Sequence, residues 1–107
     1  MVFQKTYDFY KHFYEDLKAI PKRDRFAWGE RTETIALELL TLSMTAGYMA
    51  RLEKLSTVRT LSTRIDLLKI LIRLGNELRI LDHKKYLART GELIEIGKMT
   101  GGWLKSL

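Results

Sequence analysis

Apolar residues return every three or four positions along most of the chain, and one stretch, Leu61 to Leu81, does so twice over. It reads LSTRIDLLKILIRLGNELRIL. Leu61, Ile65, Leu68, Ile72 and Gly75 form one helical stripe, and Leu67, Leu71, Leu74, Leu78 and Leu81 form a second beside it. A helix with two apolar stripes needs two surfaces. One is the core of its own bundle, and the other is most simply another copy of the chain. The positions between the stripes are mostly basic, with Arg64, Lys69, Arg73 and Arg79 against Asp66 and Glu77. The pattern predicts a helical oligomer that displays positive charge.

The same periodicity predicts three more helices. In the first, over about 3–19, Phe3, Tyr7, Tyr10, Tyr14 and Leu17 hold a heptad stripe with Phe9 and Phe13 beside it. Such an aromatic cluster can stack nucleic-acid bases, but at helical spacing the expectation is core. Pro21, the only proline, ends this helix. PKRDR follows, either a second candidate for phosphate contact or a solvated loop. Asp24 is the expected cap of the second helix, over about 25–53. Its seam is Ile35, Leu39, Leu42, Ala46 and Met49, with a neighbouring strip of small residues, Ala36, Ser43, Gly47 and Ala50.

Ser56 and Thr57 offer a cap for the third helix, over about 57–81, and Asp82 caps a fourth over about 83–100. That fourth helix carries Tyr86, Thr90, Leu93, Gly97 and Thr100 on one stripe and Leu87 and Ile94 on another. Gly101 and Gly102 are expected to stop it, leaving Trp103 and Leu104 to fold back onto the bundle or onto a neighbour. Four amphipathic helices, short connections and no strand signal predict an all-α fold, an antiparallel up-and-down four-helix bundle in a single domain over residues 1–107.

Charge changes this picture through its placement. Residues 1–53 hold eight basic and eight acidic side chains, while residues 54–107 hold eleven basic and five acidic, so the second half carries the whole net charge of +6. An unpaired basic surplus on one half is the footprint of a protein that meets phosphates or an acidic partner; its plain alternative is solubility. The absence of cysteine removes disulfides, thiol catalysis and cysteine-based zinc sites, and fits a reducing cytoplasm. The longest uncharged stretch, Leu39 to Ala50, is twelve residues, short of the ~20 that a membrane helix needs. The N-terminus alternates aromatic and charged residues and lacks the apolar run of a signal peptide, so the expected location is cytoplasmic.

Catalytic chemistry finds no foothold. There is no phosphate-cradling glycine loop, HExxH, EF-hand loop or glycine-flanked nucleophile. Neither His12 nor His83 follows a Glu or Asp by three positions, which removes the di-iron bundle pattern, and both are expected as surface or boundary residues in place of a proton shuttle. Glu92 and Glu95 pair on paper with Arg89 and Lys98 along one helix. No catalytic residue, metal site or cofactor is assigned.

Three segments carry a family resemblance: IPKRDRFAWGERTETIALELL at 20–40, LLKILIRLGNELRIL at 67–81, and ELIEIGKMTGGWLKSL at 92–107. On these the chain resembles the accessory variability determinant (Avd) of diversity-generating retroelements and its Avd-like relatives, in the superfamily encoded within 23S ribosomal RNA intervening sequences. The IGKMTGGWLK ending is the most specific part. The ribosomal branch usually carries a proline-containing SIP-x-N-IAEG-like segment in its second helix, where this chain has TIALELLTLSMTAGY, and that departure favours the Avd-like branch.

The resemblance implies four-helix bundles assembled as pentameric barrels with a positively charged surface. It also implies partners, a reverse transcriptase and its RNA, with DNA as an alternative, and an accessory role without catalysis or membrane contact. The family places basic residues at the positions of Lys69 and Arg73. The candidate nucleic-acid residues are therefore Arg64, Lys69, Arg73, Arg79, Lys84, Lys85 and Arg89, and the candidate oligomer interface is Leu67, Leu71, Leu74, Leu78, Trp103 and Leu104. The rival readings are a ribosomal intervening-sequence bundle of unassigned role, a module that docks only an acidic protein, and a purely structural bundle.

Overall fold

A computed structural model describes residues 1–107. Its elements are α1 (Val2–Lys18), α2 (Lys22–Asp24), a π turn (Arg25–Gly29), α3 (Glu30–Tyr48), α4 (Arg51–Glu77) and α5 (His83–Lys105), with no strand. Asp24, Arg25, Gly29 and Glu30 all keep right-handed helical torsions, so α2, the π turn and α3 form one continuous rod. Four rods thus make a bundle measuring 44 × 21 × 18 Å. α1 and α4 each pack against both α3 and α5.

The core draws from every rod: Phe9 and Phe13 of α1, Ala36 and Leu39 of α3, Leu61, Ile65, Leu68 and Ile72 of α4, Leu93 and Ile96 of α5. The first stripe predicted between Leu61 and Gly75 is buried throughout. Near one end of the bundle Thr6 Oγ1 lies 3.2 Å from Ser43 Oγ, and towards the other the Phe13 and Trp28 rings meet edge-on at 5.8 Å. Early α1 therefore faces late α3, and late α1 faces the start of that rod.

α1 is rotated from the predicted stripe. Thr6, Phe9, Phe13, Asp16 and Leu17 go inside, while Phe3, Tyr7 and Tyr14 are exposed. Phenylalanine has no polar atom to satisfy, whereas a tyrosine hydroxyl is cheaper to leave at the rim. Tyr10 follows the same logic: its O–H donates to Glu33 Oε2 at 2.8 Å, and burial together with that bond pushes its pKa up to about 12. Lysine ammoniums cover three of the exposed rings, Lys11 5.1 Å above Tyr7, Lys18 5.4 Å above Tyr14 and Lys22 5.7 Å above Phe26.

The helix junctions also differ from expectation. The second rod begins at Lys22 behind Pro21, so Asp24 lies inside it and caps nothing. It stops at Tyr48, where 25–53 was predicted, and α4 starts at Arg51, where 57 was predicted. Met49 and Ala50, both extended, make the turn, and Thr57 Oγ1 contacts Met49 Sδ at 3.2 Å in place of capping a helix. Asp82 does cap α5, accepting the Lys85 N–H at 2.8 Å. Gly101 and Gly102 do not end α5, which runs on to Lys105 with Trp103 and Leu104 on the helix itself. Packing of Trp103 on the core outweighs a propensity cost of ~1 kcal/mol per glycine.

α4 ends at Glu77, and the chain turns through Arg79, whose φ of 62° is left-handed. The Ile80 and Leu81 N–H groups then both donate to the Gly75 carbonyl, at 2.8 and 3.1 Å. Leu81 is thereby drawn into the core and leaves the second α4 stripe. A non-glycine residue in this conformation costs ~1 kcal/mol or more, so Arg79→Gly is expected to raise the unfolding midpoint by the equivalent of about 1 kcal/mol. A thermal melt checks this, and a lower midpoint would mean that the arginine side chain stabilises the turn.

Candidate nucleic-acid interface

Lys69 and Arg73 lie one turn apart on α4, beyond the core stripe. Lys69 points towards α5, with its Nζ 3.2 Å from the point where a side chain on Gly97 would begin. Their ion pairs are loose, Lys69 3.9 Å from Asp66 and Arg73 3.5 Å from Glu77. Pairs of this kind contribute under ~1 kcal/mol and exchange readily for a phosphate.

On α5, Lys84, Leu87, Gly91, Ile94, Lys98, Gly101 and Lys105 repeat at helical spacing, and all but the half-buried Gly101 are exposed. Gly97 lies three positions beyond Ile94 and four before Gly101, so this stripe borders the flank that Lys69 meets. Lys98 and Lys105 were not among the sequence candidates. Continuing the Leu87–Ile94 stripe towards the C-terminus at four-then-three spacing, through 98, 101 and 105, would have found them. Arg79 and Lys85, with His83 and Asn76, line a cleft of about 380 Å³ between the end of α1 and the α4–α5 turn.

Arg64 and Arg89 do not join this surface. Arg64 Nε donates to Glu38 Oε2 on α3 at 2.8 Å. The Arg89 side chain, 13% exposed, turns inward between Asp16 and Glu92. Its Nε lies 2.9 Å from Asp16 Oδ2 without the alignment of a hydrogen bond, and Thr90 Oγ1 nearby on the same helix is also buried without a partner. Desolvation pushes the Asp16 carboxyl above the usual carboxylate range, and the Arg89 charge draws it part of the way back.

His12 Nδ1 closes the network at 2.6 Å from Glu92 Oε2, a carboxylate neighbour invisible to local spacing. Glu95 pairs with Lys5 on α1 at 3.0 Å in place of Lys98, and this hydrogen bond and charge raise the Lys5 pKa.

The proposed interface residues fall in two places. Leu67, Leu74 and Leu78 are exposed along α4, Leu71 is half-buried against the core, and Ile70, 57% exposed, joins them from outside both predicted stripes. Trp103 and Leu104 are half-buried near the opposite end of α4, where Lys54 Nζ sits 5.7 Å from the Trp103 ring centre. No three His, Cys, Asp or Glu side chains gather as a metal site, and no helix is long and apolar enough to cross a membrane.

This arrangement can hold anions by repeated, weak, exposed cationic contacts. A family model described as bAvd-like matches residues 1–107. No curated protein and no solved structure matches.

Proposed function

The chain belongs to the bAvd-like family, and from that premise we propose that it is a non-catalytic accessory protein of a diversity-generating retroelement. In this reading it is a basic oligomeric scaffold that binds the reverse transcriptase and its template RNA for mutagenic cDNA synthesis. The observation that carries the RNA part is the flank where Lys69, one turn from Arg73, meets α5 at Gly97 beside an exposed stripe holding Lys84, Lys98 and Lys105. The cations of α5 on that flank have no ion-pair partners.

The bundle itself is read as antiparallel and up-and-down, which the Thr6–Ser43 and Phe13–Trp28 pairs support. The pentameric barrel is supported by the exposed run Leu67, Ile70, Leu74 and Leu78, a second apolar face that the monomer leaves uncovered. Five copies set the Lys69–Arg73 pair in a ring, and repetition multiplies contacts that are individually weak. Such contacts position RNA by shape and backbone; they do not read its sequence.

The test pairs Lys69→Glu with Arg73→Glu. The parent protein is expected to bind a structured RNA with a log–log salt slope of about −0.7 per neutralised phosphate on single strands. The double variant is expected to lose about tenfold or more in RNA affinity, and its hold on the polymerase, while light scattering gives an unchanged assembly mass. A double variant that still bound both would overturn the assignment. A parent that bound polymerase but no RNA at any salt would support the protein-docking module.

A further inference from the structure

The largest cavity of the bundle, about 700 Å³, has no part in the basic flank. It lies where the N-terminal turn of α1 meets the C-terminal parts of α3 and α5. Phe3, Met44, Met99 and Trp103 supply its apolar walls, Lys54 stands at it, and no acidic side chain lines it. The space is real at Gly47, where an added Cβ would meet nothing within 4 Å. Lys54 makes no ion pair, and its ammonium rests only over the Trp103 ring.

We infer that this groove docks a polypeptide partner, an amphipathic helix whose apolar face enters the groove and whose flanks are acidic. Three observations choose that occupant. Methionine walls adapt to inserted side chains, which suits a helix in a groove. Met1 and Tyr48 line the open rim of the cavity yet stay 88% exposed, so the apolar surface continues outward from the walls along a length that suits an extended occupant such as a helix. The unpaired Lys54 selects negative flanks. A second copy of the chain fits less well, because its exposed α4 run is already engaged between copies in the barrel proposed above and its exposed apolar residues on α5 sit among Lys84, Lys98 and Lys105. The proposal stands apart from RNA binding, which uses other residues.

The experiment uses the full-length protein and two fluorescent amphipathic peptides with the same leucine face, one polar face of glutamate and the other of lysine. The glutamate peptide is expected to bind at physiological salt and the lysine peptide not. Gly47→Trp fills the groove without changing charge, and is expected to weaken the glutamate peptide about tenfold while thermal melt, assembly mass and RNA binding stay as in the parent. Lys54→Glu is expected to shift preference towards the lysine peptide. Unchanged peptide affinity in Gly47→Trp would place the peptide on the general positive surface and overturn the groove. A fall in assembly mass in that variant would make the groove a contact between copies and overturn the peptide as its occupant. Loss of RNA binding in Lys69→Glu/Arg73→Glu with peptide binding intact separates the two proposals.

Discussion

Arg89→Ala is expected to lower the unfolding free energy by about 3–5 kcal/mol, because it leaves a buried carboxylate without its counter-charge. Asp16 is 5% exposed, and Arg89 is the cation that reaches it. Asp16→Asn should cost less, since Arg89 keeps Glu92 as a partner. The sign of the pH dependence follows from the raised Asp16 pKa. Between the ordinary carboxylate value and the raised one, the folded state holds a proton that the unfolded chain has released. Stability from this group therefore falls as pH rises through that window.

Without Arg89 the folded-state pKa climbs further. The variant should then recover part of its loss on acidification from neutral pH, by more than the parent gains. Urea melts at neutral and mildly acidic pH check this. An equal deficit at both values would mean that Arg89 acts through packing alone.

Gly75→Ala is expected to cost about 2–3 kcal/mol even though alanine is the better helix former by ~1 kcal/mol. A Cβ there would meet the Trp28 indole, with Cε2 at 2.7 Å. That ring has nowhere to withdraw. Its Nε1–H donates to the Leu71 carbonyl at 2.8 Å, its edge lies on Phe13, and it is 6% exposed. The Gly75 carbonyl also anchors Ile80 and Leu81, so a displaced α4 carries the turn into α5 with it. Denaturant unfolding gives the magnitude. Trp28 emission, read in a Trp103→Phe background, should shift to the red; parental stability and emission would mean that the indole moves aside freely.

What could be read from the sequence follows from where each signal originates. The α4 core stripe was legible because its apolar positions repeat without interruption and local spacing alone decides which face is buried. The α1 stripe was misread because tyrosine and phenylalanine count alike in a periodicity, while the folded chain buries Phe9 and Phe13 and leaves the hydroxyl-bearing Tyr7 and Tyr14, with Phe3 in the first turn, outside. The α3–α4 turn was hidden because Met49 and Ala50 carry no turn chemistry, so packing chooses the break. Lys69 and Arg73 were legible as basic residues on an apolar helix. The inward turn of Arg89 was not, since its main partner lies on α1, and the groove was not, since distant segments build it.

The lysines over Tyr7, Tyr14 and Phe26 have a colloidal consequence. Each long side chain lays its methylene stem along a ring and keeps its ammonium in water, so a face that offers aromatic surface presents cationic tips to anything approaching. Two such faces repel before their rings can touch. Tyr7, Tyr14 and Phe26 therefore do not make their face of the bundle adhesive, and neutralising those three ammoniums, by acetylation for instance, would turn the same rings into a surface for precipitation.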